Sequence, residues 1–130
     1  MSIVPVAVRL ERGTDLKLAI ANLVKQTNIQ AGSIASCVGC LSELHIRLAN
    51  AQDTLNIAEP FEIVSIMGTL TSTHQHVHIS VANRSGEVLG GHLLEGCIVD
   101  TTAELIVHDY RGQVFRREHD ENTGYSELII

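Results

Sequence analysis

The segment Phe61–Ala82, FEIVSIMGTLTSTHQHVHISVA, decides how the rest of the chain is read. Its two halves, 61–70 and 74–82, are rich in β-branched residues, and Thr71–Ser72–Thr73 supplies a short polar connection between them. Apolar runs bounded by such breaks form paired antiparallel strands. In the second half a period of two puts Val77, Ile79 and Val81 on one face and His74, His76, His78 and Ser80 on the other. The aliphatic face belongs to a core, which leaves a row of imidazoles outside it.

Toward the N-terminus, residues 3–10 are rich in Val and Ile, with Pro5 near the start, and read as a strand at a sheet edge. Thr14 and Asp15 then cap a helix in which Leu16, Ile20, Leu23 and Val24 recur on one face while Lys17 and Lys25 stay outside. Residues 32–49 read as strand, turn or bulge near Gly39, and strand again. Toward the C-terminus, Asn83–Gly86 is a turn, and the strand resumed at Glu87–Leu89 is broken or bulged by Gly90–Gly91 before His92. Two more strands are expected at Cys97–Val99 and Ala103–Tyr110. Asp109–Gly112 signals a hairpin to a returning strand at Val114–Arg117, and Ser126–Ile130 adds a last edge. The expected fold is a single compact α+β domain over residues 1–130, mostly antiparallel β-sheet with one clear amphipathic helix. A doubly wound α/β fold is not expected, because helical patterns do not separate the strands.

Composition agrees. The chain has 130 residues, 45% of them apolar, a formal charge of −6 and only nine Lys plus Arg. That is enough apolar content for one core and too much for a disordered chain. The few basic residues give no stripe that would track a phosphate backbone. No apolar run approaches the roughly 18 residues of a membrane span. Three cysteines, and an N-terminus lacking a basic stretch before its apolar residues, fit a cytoplasmic protein rather than a disulfide-stapled secreted one.

Chemistry concentrates in the histidines. Imidazoles at alternate positions of one strand face can converge on a metal with Zn–N bonds of about 2.0–2.1 Å. Two make a weak site, and His92, behind a glycine pair that permits close backbone approach, is the natural third ligand. Glu104 and Glu62 are the carboxylates that could orient such a site or move a proton. Equally, the histidines could keep the face polar, pack at a subunit interface, or act in catalysis without metal. His45, His108 and His119 have no comparable company. Cys37–Val38–Gly39–Cys40 is a CxxC in a β-like stretch with only Cys97 left to complete a zinc site, so small buried residues near a bulge explain it better than redox or metal chemistry. Gly68 and His74–Gln75–His76 resemble the opening of the cupin metal motif, but Val77–His78–Ile79–Ser80–Val81 follows where the cupin glutamate would stand.

The order of segments carries a wider resemblance. Phe61–Gly68, His76–Ala82, Gly86–Leu93, Gly96–Val99 and Thr102–Ala103–Glu104 together resemble the PPC family, the plant and prokaryote conserved domain also called DUF296 or PD1-like. The likeness runs from the first strand to about residue 118. It implies an α+β domain that forms homotrimers, and it places His76, His78 and His92 on the family's histidine motif, where prokaryotic members look able to hold a metal. Glu104 matches the glutamate of the family's TAE motif. Plant members add AT-hook segments that bind A·T-rich DNA. No Arg-Gly-Arg-Pro hook occurs in these 130 residues, so that activity does not carry over. Asn83 stands where many members have an acidic residue.

Three readings result. The first is a small homotrimer whose His76/His78/His92 cluster binds a divalent metal, zinc foremost, in a regulatory or binding role. Its enzymatic form is a hydrolase or lyase with Glu104 handling a proton. The second is a DNA-associated transcriptional regulator, which needs a basic patch from residues such as Arg9, Lys17, Lys25 and Arg47. The third is an association module whose histidines are buried by neighbouring chains.

Overall fold

Strand β4 (Phe61–Thr71) pairs antiparallel with β5 (Gln75–Ala82), so that Met67 faces His78 and Thr69 faces His76. The computed structural model, which describes residues 1–130, builds the rest of the sheet around this pair. β1 spans Ser2–Glu11, β2 Ala31–Arg47, β3 Thr54–Ile57, β6 Val88–Leu93 and β7 Ile98–Arg111. The strand order is β1-β7-β2-β4-β5-β6, with β3 beside β2. The far end of β2 also pairs with β6, through Ile46–Leu93 and Arg47–His92, so β2, β4, β5 and β6 close into a ring. Every named pairing is antiparallel.

The single α-helix, α1 (Leu16–Gln26), buries Leu16, Ile20, Leu23 and Val24, the stripe expected from its spacing. These four join one core with the inward residues of the strands, among them Leu41, Ile46, Val81 and Leu105. Val77, Ile79 and Val81 are all buried, so the face opposite the histidines is the core face. The α+β architecture is as the sequence implies. No helix is long and apolar enough to cross a membrane.

Several boundaries differ from the sequence reading. Residues 31–47 form one 17-residue strand, and the expected break near Gly39 is a register shift between Gly39 and Cys40. A bulge adds a residue without ending the strand, so it mimics a turn in the sequence pattern. Cys97–Val99 and Ala103–Tyr110 likewise merge into β7, which carries Thr101 at a left-handed φ of 59°. Gly90–Gly91 does not break β6. The predicted return of Val114–Arg117 to the sheet does not occur: β8 (Arg116–His119) pairs instead with β9 (Ser126–Ile129) as a separate ribbon. Its connection leaves β7 through Gly112, whose φ is 90°.

Candidate metal centre

His76 and His78 project from the outer face of β5, and His92 comes from β6, directly across from His78. Their ligating nitrogens all lie within 4.8 Å of one another. His76 Nε2 and His78 Nε2 are 3.2 Å apart, close to the edge of roughly 3.3 Å of a tetrahedron with Zn–N bonds of 2.0–2.1 Å. The ring centroids are separated by 4.9 Å for His76–His78, 5.5 Å for His76–His92 and 5.7 Å for His78–His92. His92 Nδ1 is buried without a hydrogen-bond partner. Such an atom costs about 1–3 kcal/mol, and a bond to a cation or an acceptor would remove the deficit. An all-imidazole donor set of this kind suits zinc and similar borderline divalent ions.

Close backbone approach explains the glycines. A Cβ on Gly91 would stand 2.4 Å from the Arg47 carbonyl oxygen, and one on Gly90 would stand 2.9 Å from that of Ile79. The pair therefore lets β6 lie tight between β2 and β5, which sets the position of His92.

Electrostatics favour the neutral form of His74, His76 and His92. Burial, then the Arg47 charge and the two neighbouring imidazoles, lower His92 to about 4. His76 is lowered by burial, then by His78 and Arg117, while Glu127 acts in the opposite sense. His74 is lowered by burial, Arg117 and Lys17. A neutral imidazole is the form that binds a metal.

His74 precedes β5 and sits in the turn, where its backbone N–H donates to Thr71 Oγ1 at 2.9 Å; it is not part of the cluster. Glu104 lies on β7 between Arg9 and Val38 of the flanking strands, near Cys37, and the chain does not bring it to the histidines. Glu62 lies opposite Cys40 and Ala82. Cys37 and Cys97 are buried and all three thiols are free; burial, then Glu104, raises Cys37 to about 11. Asn83 accepts from the N–H groups of Ser85 and Glu87 at 3.0 Å, so its visible role is to shape the turn. Of the basic residues named from sequence, Lys17 and Arg47 act on the histidines, whereas Arg9 bonds Thr102 Oγ1 at 3.0 Å on another part of the sheet.

Sequence reading missed the contribution of the ribbon. Arg117 donates to Thr69 Oγ1 at 3.1 Å, beside His76, and to the Ser126 carbonyl at 3.1 Å. Tyr125 lines a cavity with His78 and His92, and Glu127 acts on His76. The Arg117–Thr69 contact spans 48 residues, and no local periodicity signals it.

Known proteins share this arrangement of strands. A family model described as the Plants and Prokaryotes Conserved (PCC) domain matches residues 2–111. The bifunctional protein GlmU of Synechococcus sp. (strain JA-3-3Ab) is 39% identical over 122 residues, covering 94% of this chain and 20% of that protein. The chain thus spans about a fifth of the length of the curated relatives it matches. The solved structure of a hypothetical protein from Salmonella cholerae-suis superposes with a TM-score of 0.95 at 34% identity, over 98% of this chain and 93% of that one. A structure from Bacteroides thetaiotaomicron, described as a candidate DNA-binding protein, gives 0.85 at 25% identity over 96% and 91%. One described as a metal-containing protein from Archaeoglobus fulgidus gives 0.77 at 25% identity over 98% and 94%.

Proposed function

The chain belongs to the Plants and Prokaryotes Conserved domain family, and from that premise we propose that residues 1–130 form one domain of a cytoplasmic homotrimer that binds a divalent metal, zinc foremost, through His76, His78 and His92. The role is one of binding or regulation. The observation that carries the reading is the convergence of three ligating nitrogens within 4.8 Å. The metal-containing description of the Archaeoglobus fulgidus relative supports it. Self-association is supported by exposed apolar side chains on neighbouring strands, Ile106 on β7, Val38 on β2, and Val64 and Met67 on β4.

A zinc ion on three imidazoles keeps a fourth position for a ligand or a water whose pKa it lowers. The chain's own contribution is to hold the rings on two paired strands, favour the neutral form of His76 and His92, and back the strand with the buried Val77, Ile79 and Val81. In a hydrolase or lyase reading Glu104 would handle the proton. Its place on β7 beside Cys37 means that it would have to reach the histidines of a neighbouring copy.

The test is metal content after purification without a metal-affinity tag, for wild type and for His76→Ala combined with His78→Ala. Wild type is expected to carry about one metal per chain and the double variant less than a tenth of that. A wild type that is empty and refuses added zinc overturns the reading. A DNA-associated role is the second reading, favoured by the description of the Bacteroides thetaiotaomicron relative and by the three cations near the cluster, Lys17, Arg47 and Arg117. Retention of A·T-rich duplex at low salt, lost as salt rises, is its check.

A further inference from the structure

Arg47 faces His92 across the β2–β6 seam, and His92 faces His78 across β6–β5, so a guanidinium and two imidazoles stand in one row. Directly opposed residues of an antiparallel pair have Cα atoms roughly 4.5–5.5 Å apart and side chains on the same face. Beside this row lies a cavity of about 550 Å³, lined by Arg47, Asn50, Ala51, His78, His92 and Tyr125 together with the glycine pair. That volume falls in the range of small-molecule pockets. Asn50 and Ala51 hold left-handed φ values of 70° and 54° in its wall. Both belong to the short 3-10 turn Ala49–Ala51 that links β2 to β3, a conformation uncommon for alanine.

Charge indicates what the cavity takes. No Asp or Glu lines it. The charges acting on His74, His76 and His92 from outside the histidines are Lys17, Arg47 and Arg117, opposed by the single carboxylate of Glu127. Three neutral imidazoles cancel none of the charge of a divalent cation. A metal at the cluster would therefore leave a recess with an unbalanced positive field and a planar guanidinium at its edge. Arginine's fork matches the paired oxygens of a carboxylate or phosphate.

We propose that this cavity is the ligand pocket of the metal centre and that its ligand is a small oxyanion, a carboxylate or a phosphate, which Arg47 holds beside the metal. The proposal rests on the metal reading above and adds the ligand's chemical class and the residue that selects it. Lysine in place of Arg47 would keep the charge and lose the fork.

The test uses the full chain loaded with Co²⁺, whose visible spectrum reports changes at the metal. Wild type, Arg47→Gln and Arg47→Lys are titrated with acetate and with inorganic phosphate, and with neutral acetamide as the control. Wild type is expected to respond to at least one anion with one site per chain. Arg47→Gln should raise the apparent Kd at least tenfold with unchanged cobalt content and melting temperature, and Arg47→Lys should fall between. The tighter anion identifies the headgroup. No response of the loaded wild type to either anion, equal affinity in wild type and Arg47→Gln, or a response to acetamide equal to that to acetate overturns the proposal and leaves the metal reading standing. A wild type that takes up neither cobalt nor zinc overturns both.

Discussion

Asp15 joins two parts of the chain with one carboxylate. Oδ1 accepts from the Leu18 N–H at 3.1 Å and caps α1, while Oδ2 accepts from the Gly96 N–H at 2.8 Å and ties the helix start to the loop before β7. Replacement by alanine is expected to cost about 2 kcal/mol, the upper end for a cap because a second N–H also loses its partner. Urea unfolding of Asp15→Ala against wild type checks this, and a loss under about 0.5 kcal/mol would contradict the double role. The capping half was legible from Thr14–Asp15 before the apolar stripe, since a cap is a local device. The Gly96 half spans 81 residues and leaves no local trace. The same division applies at the site. His76 and His78 were legible because strand alternation fixes which way neighbours point. Arg47 entered only as one of several basic residues, because its place beside His92 depends on a long-range closure.

At the scale of elements, the seam between β6 and the end of β2 controls the site. Gly91→Ala would put a methyl group 2.4 Å from the Arg47 carbonyl oxygen, a distance no relaxed structure keeps, so the strands must part. His92 would move although no ligand is changed. The expected result is a loss of zinc affinity of tenfold or more, measured by competition with a chromophoric chelator, together with destabilisation of the metal-free protein by about 2 kcal/mol. Unchanged affinity would show that the seam does not position His92. The glycine pair supports two readings in the sequence, a break or bulge and a close backbone approach that aims His92, and the structure has the second: tight packing within an unbroken strand. Bulges and close approaches leave the same mark in one dimension, since both put small residues where a regular strand would not need them. The long strands β2 and β7 look divided in the sequence for that reason, whereas β4 shifts register between Ile63 and Ser65 yet reads as one strand because no glycine marks the shift.

For the whole molecule, the outer face of β7, β2 and β4 leaves Val38 at 62% and Ile106 at 37% exposure. Isolated apolar residues on a surface are ordinary, but these lie on adjacent strands, beside Val64 and Met67. If the proposed homotrimer associates through this face, combined Val38→Glu and Ile106→Glu substitution is expected to reduce the light-scattering mass from three chains to one, with monomer folding retained by circular dichroism. A mass that stays at three chains would place the association on another face, and a wild type of one chain would remove the trimer. The histidines stand on strands locked into the core, within the family match of residues 2–111. Tyr125, Arg117 and Glu127 reach the same neighbourhood from a ribbon that shares no strand pairing with the main sheet. Substitutions there would leave the ring closure intact while changing the charge beside His76. In the proposed metal centre, a relative could thus retune the surroundings of the site from the ribbon's side without rebuilding the strands that hold the ligands.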